Sequence, residues 1–101
     1  MKGNFDQLIA SELPVITDFY AEWCSPCKTQ APILQELAME MRNQVRVIKI
    51  DVDKNPEVAA RFRVQAVPTL MIFRKGQVRF RHSGLLSKPQ LSSAILKSMQ
   101  S

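Results

Sequence analysis

The sequence predicts a layered α/β domain in which a mixed four-stranded sheet is sandwiched by helices, in the order α-β-α-β-α-β-β-α. Three observations predict it. Short runs of β-branched and aromatic residues alternate with longer segments of helical apolar spacing. The first two runs, Val15 to Tyr20 and Val45 to Asp51, flank one such helical segment, which implies a right-handed parallel crossover. The last two, Leu70 to Phe73 and Val78 to Arg81, are separated only by Arg74-Lys75-Gly76-Gln77, a hairpin turn. A chain of 101 residues with 46% hydrophobic and 23% charged residues is read as one domain, 1–101, with a modest core.

The elements follow in order. Asn4 with Gln7 offers a capping box for a short helix carrying Phe5, Leu8 and Ile9 on one side. Pro14 breaks it, and Val15-Ile16-Thr17-Asp18-Phe19-Tyr20 reads as a buried strand. A long helix starts at Ser25, with Leu34, Leu37, Ala38 and Met41 on its apolar face and a kink expected at Pro32. Asn43-Gln44 ends it before the strand 45–51. Asn55-Pro56-Glu57 opens a third helix as side-chain cap, first-turn proline and dipole-favoured acid, with Val58, Ala59 and Phe62 inward. Ser87 and Gln90 form a further capping box ahead of Leu91, Ala94, Ile95 and Met99. The methionines read as packing residues.

Charge and composition narrow the function classes. Lys and Arg exceed Asp and Glu by 14 to 9, and Arg61, Arg63, Arg74, Lys75, Arg79 and Arg81 all lie in the second half. This predicts a solvated basic surface, with steering of acidic proteins as the sharper reading. Nucleic-acid binding is not expected, for want of stacking aromatics or a groove-reading helix. No apolar run reaches membrane-spanning length. The N-terminus lacks the apolar core and cleavage site of an export signal, so a cytoplasmic location is expected.

The two cysteines stand at Trp23-Cys24-Ser25-Pro26-Cys27-Lys28. A structural staple is disfavoured, because closing so short a ring removes little chain entropy. No metal is expected: a structural zinc site wants four ligands, and beyond the pair only distant His82 is on offer. What remains is redox chemistry. The pair lies where the first strand ends and the long helix begins, the edge at which α/β sheets carry their sites. Unpaired N–H groups and the helix dipole there favour a thiolate, which makes Cys24 the attacking sulfur. Cys27, one turn on, faces inward and resolves the mixed disulfide, while Pro26 restricts the ring between them. His82 reads as a satisfied or solvated residue.

At these residues the chain resembles the thioredoxin family, with a Trp-Cys-Ser-Pro-Cys active site. Asp18 to Lys28 is similar to the family's active-site segment, Ala31-Pro32 to its helix kink, Lys49 to Pro56 to the second-strand exit, Val67-Pro68-Thr69 to the cis-proline motif, and Gly84 to Ser87 to the turn before the last helix. The resemblance implies a protein-disulfide reductase acting by dithiol exchange. It implies that Asp18 is a buried carboxylate relaying a proton with Cys27, and that Lys49 is its charge partner. Pro68 would carry a cis peptide after Val67, whose backbone pairs with an extended substrate, and Trp23 would give an apolar rim. No bound cofactor is implied. Electrons would come from an NADPH-linked thioredoxin reductase, and disulfide-containing client proteins would be the partners.

The sequence departs from the family at four points. Ser25 replaces a glycine, and its hydroxyl is expected to donate to the Cys24 thiolate and make the couple more oxidising. Only Met1 to Gly3 precede the first helix, where the family has a strand, so the strand 45–51 is expected at a sheet edge. A monomer is expected, with weak dimerisation open through that edge. Tyr20 stands for a tryptophan, a change expected to alter little, and the basic balance leaves partner identity open. Two other readings stay open: a dithiol oxidase or isomerase, and a non-catalytic binding module. A double Cys→Ser variant retaining full biological activity would select the last.

Overall fold

The computed structural model describes residues 4–100. Its elements are α1 (Asn4–Ile9), β1 (Val15–Tyr20), α2 (Ser25–Glu40), β2 (Arg46–Asp51), α3 (Pro56–Arg61), β3 (Thr69–Arg74), β4 (Gln77–Ser83) and α4 (Lys88–Ser98). The expected order and types are all present. The described residues form one four-stranded sheet in the order β2-β1-β3-β4. β1 runs parallel to β2 and antiparallel to β3, and β3 pairs antiparallel with β4. β2 thus occupies an edge, as expected, and its Arg46 and Lys49 are exposed.

Alternation along the central strands builds two cores. Ile16 of β1 with Leu70 and Ile72 of β3 packs against Leu34 and Leu37 of α2 and Leu91 and Ile95 of α4. The opposite set, Val15 and Phe19 with Met71 and Phe73, packs against Phe5 and Ile9 of α1 and Val58 of α3. Phe5, Phe62 and Phe73 meet there with tilted and edge-on rings, the offset that the aromatic quadrupole favours.

Local chemistry sets the element ends. Ser87 caps α4 through a complete capping box with Gln90. Lys75 (φ 55°) and Gly76 (φ 80°) form the two-residue turn of the β3–β4 hairpin, both in the left-handed region that the strands' twist demands. Their amides donate to Ser11 and Ile9 carbonyls, both at 2.9 Å, which ties the hairpin tip to the α1–β1 connection. Pro32 is accommodated inside α2 without ending it.

Several expectations are corrected. Asn4 is itself helical, not the cap of α1, and Met1 to Gly3 lie outside the described residues. Asn55 makes no side-chain cap on α3; its amide donates back to the Asp51 carbonyl at 3.0 Å, because the β2–α3 loop curls under it. Leu8 and Met39 are exposed, Met39 at 78%, since each lies off its helix's buried stripe. The basic residues are not merely solvated. Arg81 donates to the Phe62 and Arg63 carbonyls at the end of α3, and Arg74 to those of Glu12 and Met99. Arg61 pairs with Asp6 at 2.8 Å. Arg81 and Arg74 thus reach carbonyls at or beyond the ends of helices, where the helix supplies no amide partner. Among the described residues no helix is long and apolar enough to cross a membrane.

Candidate active site

β1 ends at Tyr20, and the connection turns at once, with the Cys24 amide donating to the Ala21 carbonyl at 3.1 Å. Cys24 is the N-cap of α2, in extended backbone conformation (φ −89°, ψ 110°), with a proline in the first turn behind it. A cap residue offers its side chain to the helix's unpaired amides, and here that side chain is a sulfur. The Cys27 amide donates to Cys24 Sγ at 3.2 Å. The two cysteines form a disulfide with Cα atoms 5.3 Å apart. Both residues are buried, so whole-residue exposure does not separate them. The bonding does: Cys24 takes the helix-terminal amide, while Cys27 belongs to the buried stripe of α2 with Gln30, Leu34 and Leu37.

Asp18 lies mid-strand in β1 and is fully buried. It projects from the sheet face that α2 covers, sharing that face with Ile16 by strand alternation. Among the described residues neither carboxylate oxygen has a hydrogen-bond partner. Burial therefore pushes the carboxyl up to about 6 from 3.8, against the opposing pull of the Lys49 charge. Lys49 is Asp18's register partner on β2. It makes no direct ion pair with Asp18; its ammonium sits over the Tyr20 ring, 4.6 Å from the centroid. A surface cleft of about 410 Å³ runs here, lined by Tyr20, Ala21, Glu22, Cys27, Lys28, Ala31 and Lys49.

Across the disulfide, the Val67-Pro68 peptide is cis. Val67 packs against Ala21, Cys24 and Cys27. The segment is fastened on its far side: the Pro68 carbonyl accepts from the Gly84 amide at 2.8 Å, and Thr69 Oγ1 donates to the Ala66 carbonyl at 2.7 Å. Trp23 is no core residue. It stands 71% exposed beside Cys24, its indole N–H donating to Asp53 Oδ2 at 2.8 Å. Ser25 and Pro26 are exposed at the start of α2.

Of the residues expected at the site, Cys24, Cys27 and Val67 pack together, with Pro68 next to Val67 and with Trp23, Ser25 and Pro26 in the cysteine segment itself. Lys49 lines the cleft with Cys27; Asp18 lies within β1, two residues before its end, with Lys49 as its register partner. Three contributors were not anticipated. Gln30 is fully buried, and its amide pairs twice with the Leu86 backbone, donating to the carbonyl at 3.1 Å and accepting from the amide at 2.9 Å. This pins the turn after β4 to α2. Its signal was available, because Gln30 falls at helical spacing between Cys27 and Leu34. Asp53 holds the indole, and Asp51 Oδ1 shapes that loop by accepting from the Asp53 and Lys54 amides. Both acids lie in the Lys49–Pro56 segment that resembles the family's second-strand exit, but spacing along the chain assigns neither of them a partner.

Comparison with known proteins agrees with this architecture. The Thioredoxin family profile matches residues 1–97. The chain is 44% identical over 100 residues to Thioredoxin 1 of Chlorobaculum tepidum, covering 98% of this chain and 99% of that protein. It is 47% identical over 87 residues to the bifunctional thioredoxin reductase/thioredoxin of Mycobacterium leprae, covering 86% of this chain but only 19% of that longer protein. A solved structure described as that of a malarial protein superposes with a TM-score of 0.81 at 25% identity, covering 87% of this chain and 99% of that one.

Proposed function

The chain belongs to the thioredoxin family and is a thiol–disulfide oxidoreductase, and on that premise we propose how its residues divide the reduction of protein disulfides. Cys24 is the nucleophile. Its thiolate attacks one sulfur of a client disulfide, forming a mixed disulfide and releasing the other client sulfur as thiolate, which takes up a proton. Cys27 then loses its proton to Asp18, attacks Cys24 Sγ and displaces the second client thiolate. The products are a client dithiol and the Cys24–Cys27 disulfide, two electrons having passed to the client.

The observation that carries this reading is the Cys27 amide donating to Cys24 Sγ at the N-cap of α2. A helix terminus aims positive potential and an N–H at that sulfur and favours the thiolate. Asp18 suits the relay because a buried carboxyl held near 6 exchanges its proton around neutral pH. Lys49 moderates that carboxyl. The Val67 backbone beside cis-Pro68 offers an extended client segment a strand partner, and Trp23 an apolar rim. Ser25 adds a hydroxyl donor for the reduced Cys24 thiolate, and Pro26 limits the ring's motion.

No cofactor is bound in this scheme; the working group is the disulfide itself. It is recharged by an NADPH-linked thioredoxin reductase, a pairing supported by the bifunctional relative, which carries both names on one chain. A dithiol carrier must be kept reduced, which suits a cytoplasmic, reducing compartment. The chain works as one domain and as a monomer. The test is trapping from lysate. Cys27→Ser accumulates mixed disulfides with clients because resolution is blocked, and Cys24→Ser accumulates none. The reverse pattern would exchange the two roles.

A further inference from the structure

The substitution of tyrosine at position 20 has more consequence than keeping an aromatic ring. We infer that Tyr20 is a positioning residue of this site: its ring face holds the Lys49 ammonium at the mouth of the cleft beside Cys27, and so sets how strongly that cation acts on the buried Asp18 carboxylate. This rests on the relay role proposed above for Asp18.

The geometry comes from the strand register. Asp18 and Tyr20 are two residues apart on β1 and share a face, and β2 sets Lys49 directly beside Asp18. Lys49 sits on an edge strand with its side chain exposed. A lysine so placed would ordinarily spread its charge over many rotamers and hold none of them. Here the ammonium lies 4.6 Å from the Tyr20 centroid, within reach of the ring's negative face. Among the described residues it forms no salt bridge with an acid. Glu22, on the same cleft, is engaged by Lys54 at 3.7 Å, and the Asp51 carboxylate accepts from backbone amides. Asp18 itself makes no contact that would draw Lys49 inward.

The groups facing Asp18 are few. β2 supplies Lys49, and β3 supplies the apolar Leu70 opposite. The cleft that Lys49 lines also holds Cys27 and Lys28 of α2 and Glu22 of the connection before it. α4 presents Leu91, Ala94 and Ile95 to this core, and His82 of β4 lies beyond Leu70 in the same row. Lys49 is the charge that opposes the effect of burial on Asp18. An aliphatic residue at position 20 would fill the same space but offer the cation no quadrupole.

The experiment follows the Asp18 carboxyl by NMR titration in the oxidised protein, where Cys27 does not ionise. Tyr20→Phe keeps the ring face and leaves the midpoint unmoved. Tyr20→Leu and Lys49→Gln each raise it by roughly 0.5 pH unit, less than the 1–3 or so that a cation in direct contact imposes. The double variant rises no further than either single one. A Tyr20→Leu midpoint equal to that of Tyr20→Phe, or a double variant showing the sum, overturns the inference. A readout on the unmutated protein stands beside these should Tyr20→Leu not fold. The Lys49 Cε protons are shifted upfield by the ring current, Tyr20→Phe keeps that shift, and its absence in wild type overturns the inference equally. The relay is judged separately, by single-turnover resolution rates. Asp18→Asn resolving at the wild-type rate removes the relay while leaving Tyr20's hold on Lys49 standing.

Discussion

A buried carboxyl without a partner should be visible in the stability of the whole protein. Asp18 is the place to look, because it is fully buried, both its oxygens lack a hydrogen-bond partner among the described residues, and burial lifts it to about 6 from 3.8. Its folded value lies above its unfolded value. The neutral form is therefore the one the fold tolerates, and Asp18's contribution to stability is greatest below pH 3.8 and is lost as pH rises through 6. The full loss is about 2.2 pH units at about 1.36 kcal/mol each, or about 3 kcal/mol. Since the unfolded carboxyl ionises first, about 1 kcal/mol is already gone by pH 4.5, leaving about 2 kcal/mol between pH 4.5 and 8. The perturbation is Asp18→Asn, which fills the same volume and does not titrate. Its amide also lacks a buried partner, but that cost is independent of pH and cancels in a difference profile. Guanidinium denaturation of both oxidised proteins every half pH unit should show wild type losing about 2 kcal/mol relative to Asp18→Asn between pH 4.5 and 8, with the change centred between 4 and 6 and levelling off above 7. A difference that stays constant across that range would refute the account, because it would mean that Asp18 is hydrated or paired in solution.

Gln30→Ala removes both bonds to Leu86 and leaves that buried backbone pair unsatisfied, so urea denaturation should show a loss of about 2–4 kcal/mol. A midpoint within error of wild type would remove Gln30 as the pin of the Gly84–Ser87 turn. Asp53→Ala should lower the fluorescence anisotropy of Trp23, the only tryptophan, while costing about 1 kcal/mol or less because the bond is exposed. An unchanged anisotropy would show the indole to be held by something else. Ser25→Gly should make the dithiol couple more reducing by roughly 10–20 mV, the size of one weak hydrogen bond on a two-electron couple. An unchanged or more oxidising variant would take the Ser25 hydroxyl out of the account.

Much of this architecture is local, and what is local was legible. The capping box of Ser87 and Gln90, the Lys75-Gly76 turn and the apolar stripe of α2 each depend on residues within one or two turns of chain. The dithiol at a strand-to-helix junction was readable for the same reason, since the N-cap geometry that polarises Cys24 involves only its immediate successors. Asp18, Val67 and Pro68 entered through resemblance to a family, not through any local rule. What escaped were pairings made across the fold. The arginines looked like a solvated surface until Arg81 and Arg74 were seen bracing carbonyls 18 and 62 residues away. Gln30 looked like a polar position on a helix until Leu86 met it from 56 residues away.

The sequence alone determined the order of elements and the identity of the reactive pair, because hydrophobic period, caps and a Cys-x-x-Cys at a helix start are short-range physics. Only the tertiary structure decided the environment in which that pair works. Burial of Asp18 depends on α2 closing over β1, and the position of the Lys49 charge depends on the β1–β2 register together with the ring that Tyr20 presents. Desolvation and electrostatic coupling are properties of what surrounds a group in space, and spacing along the chain does not encode them residue by residue.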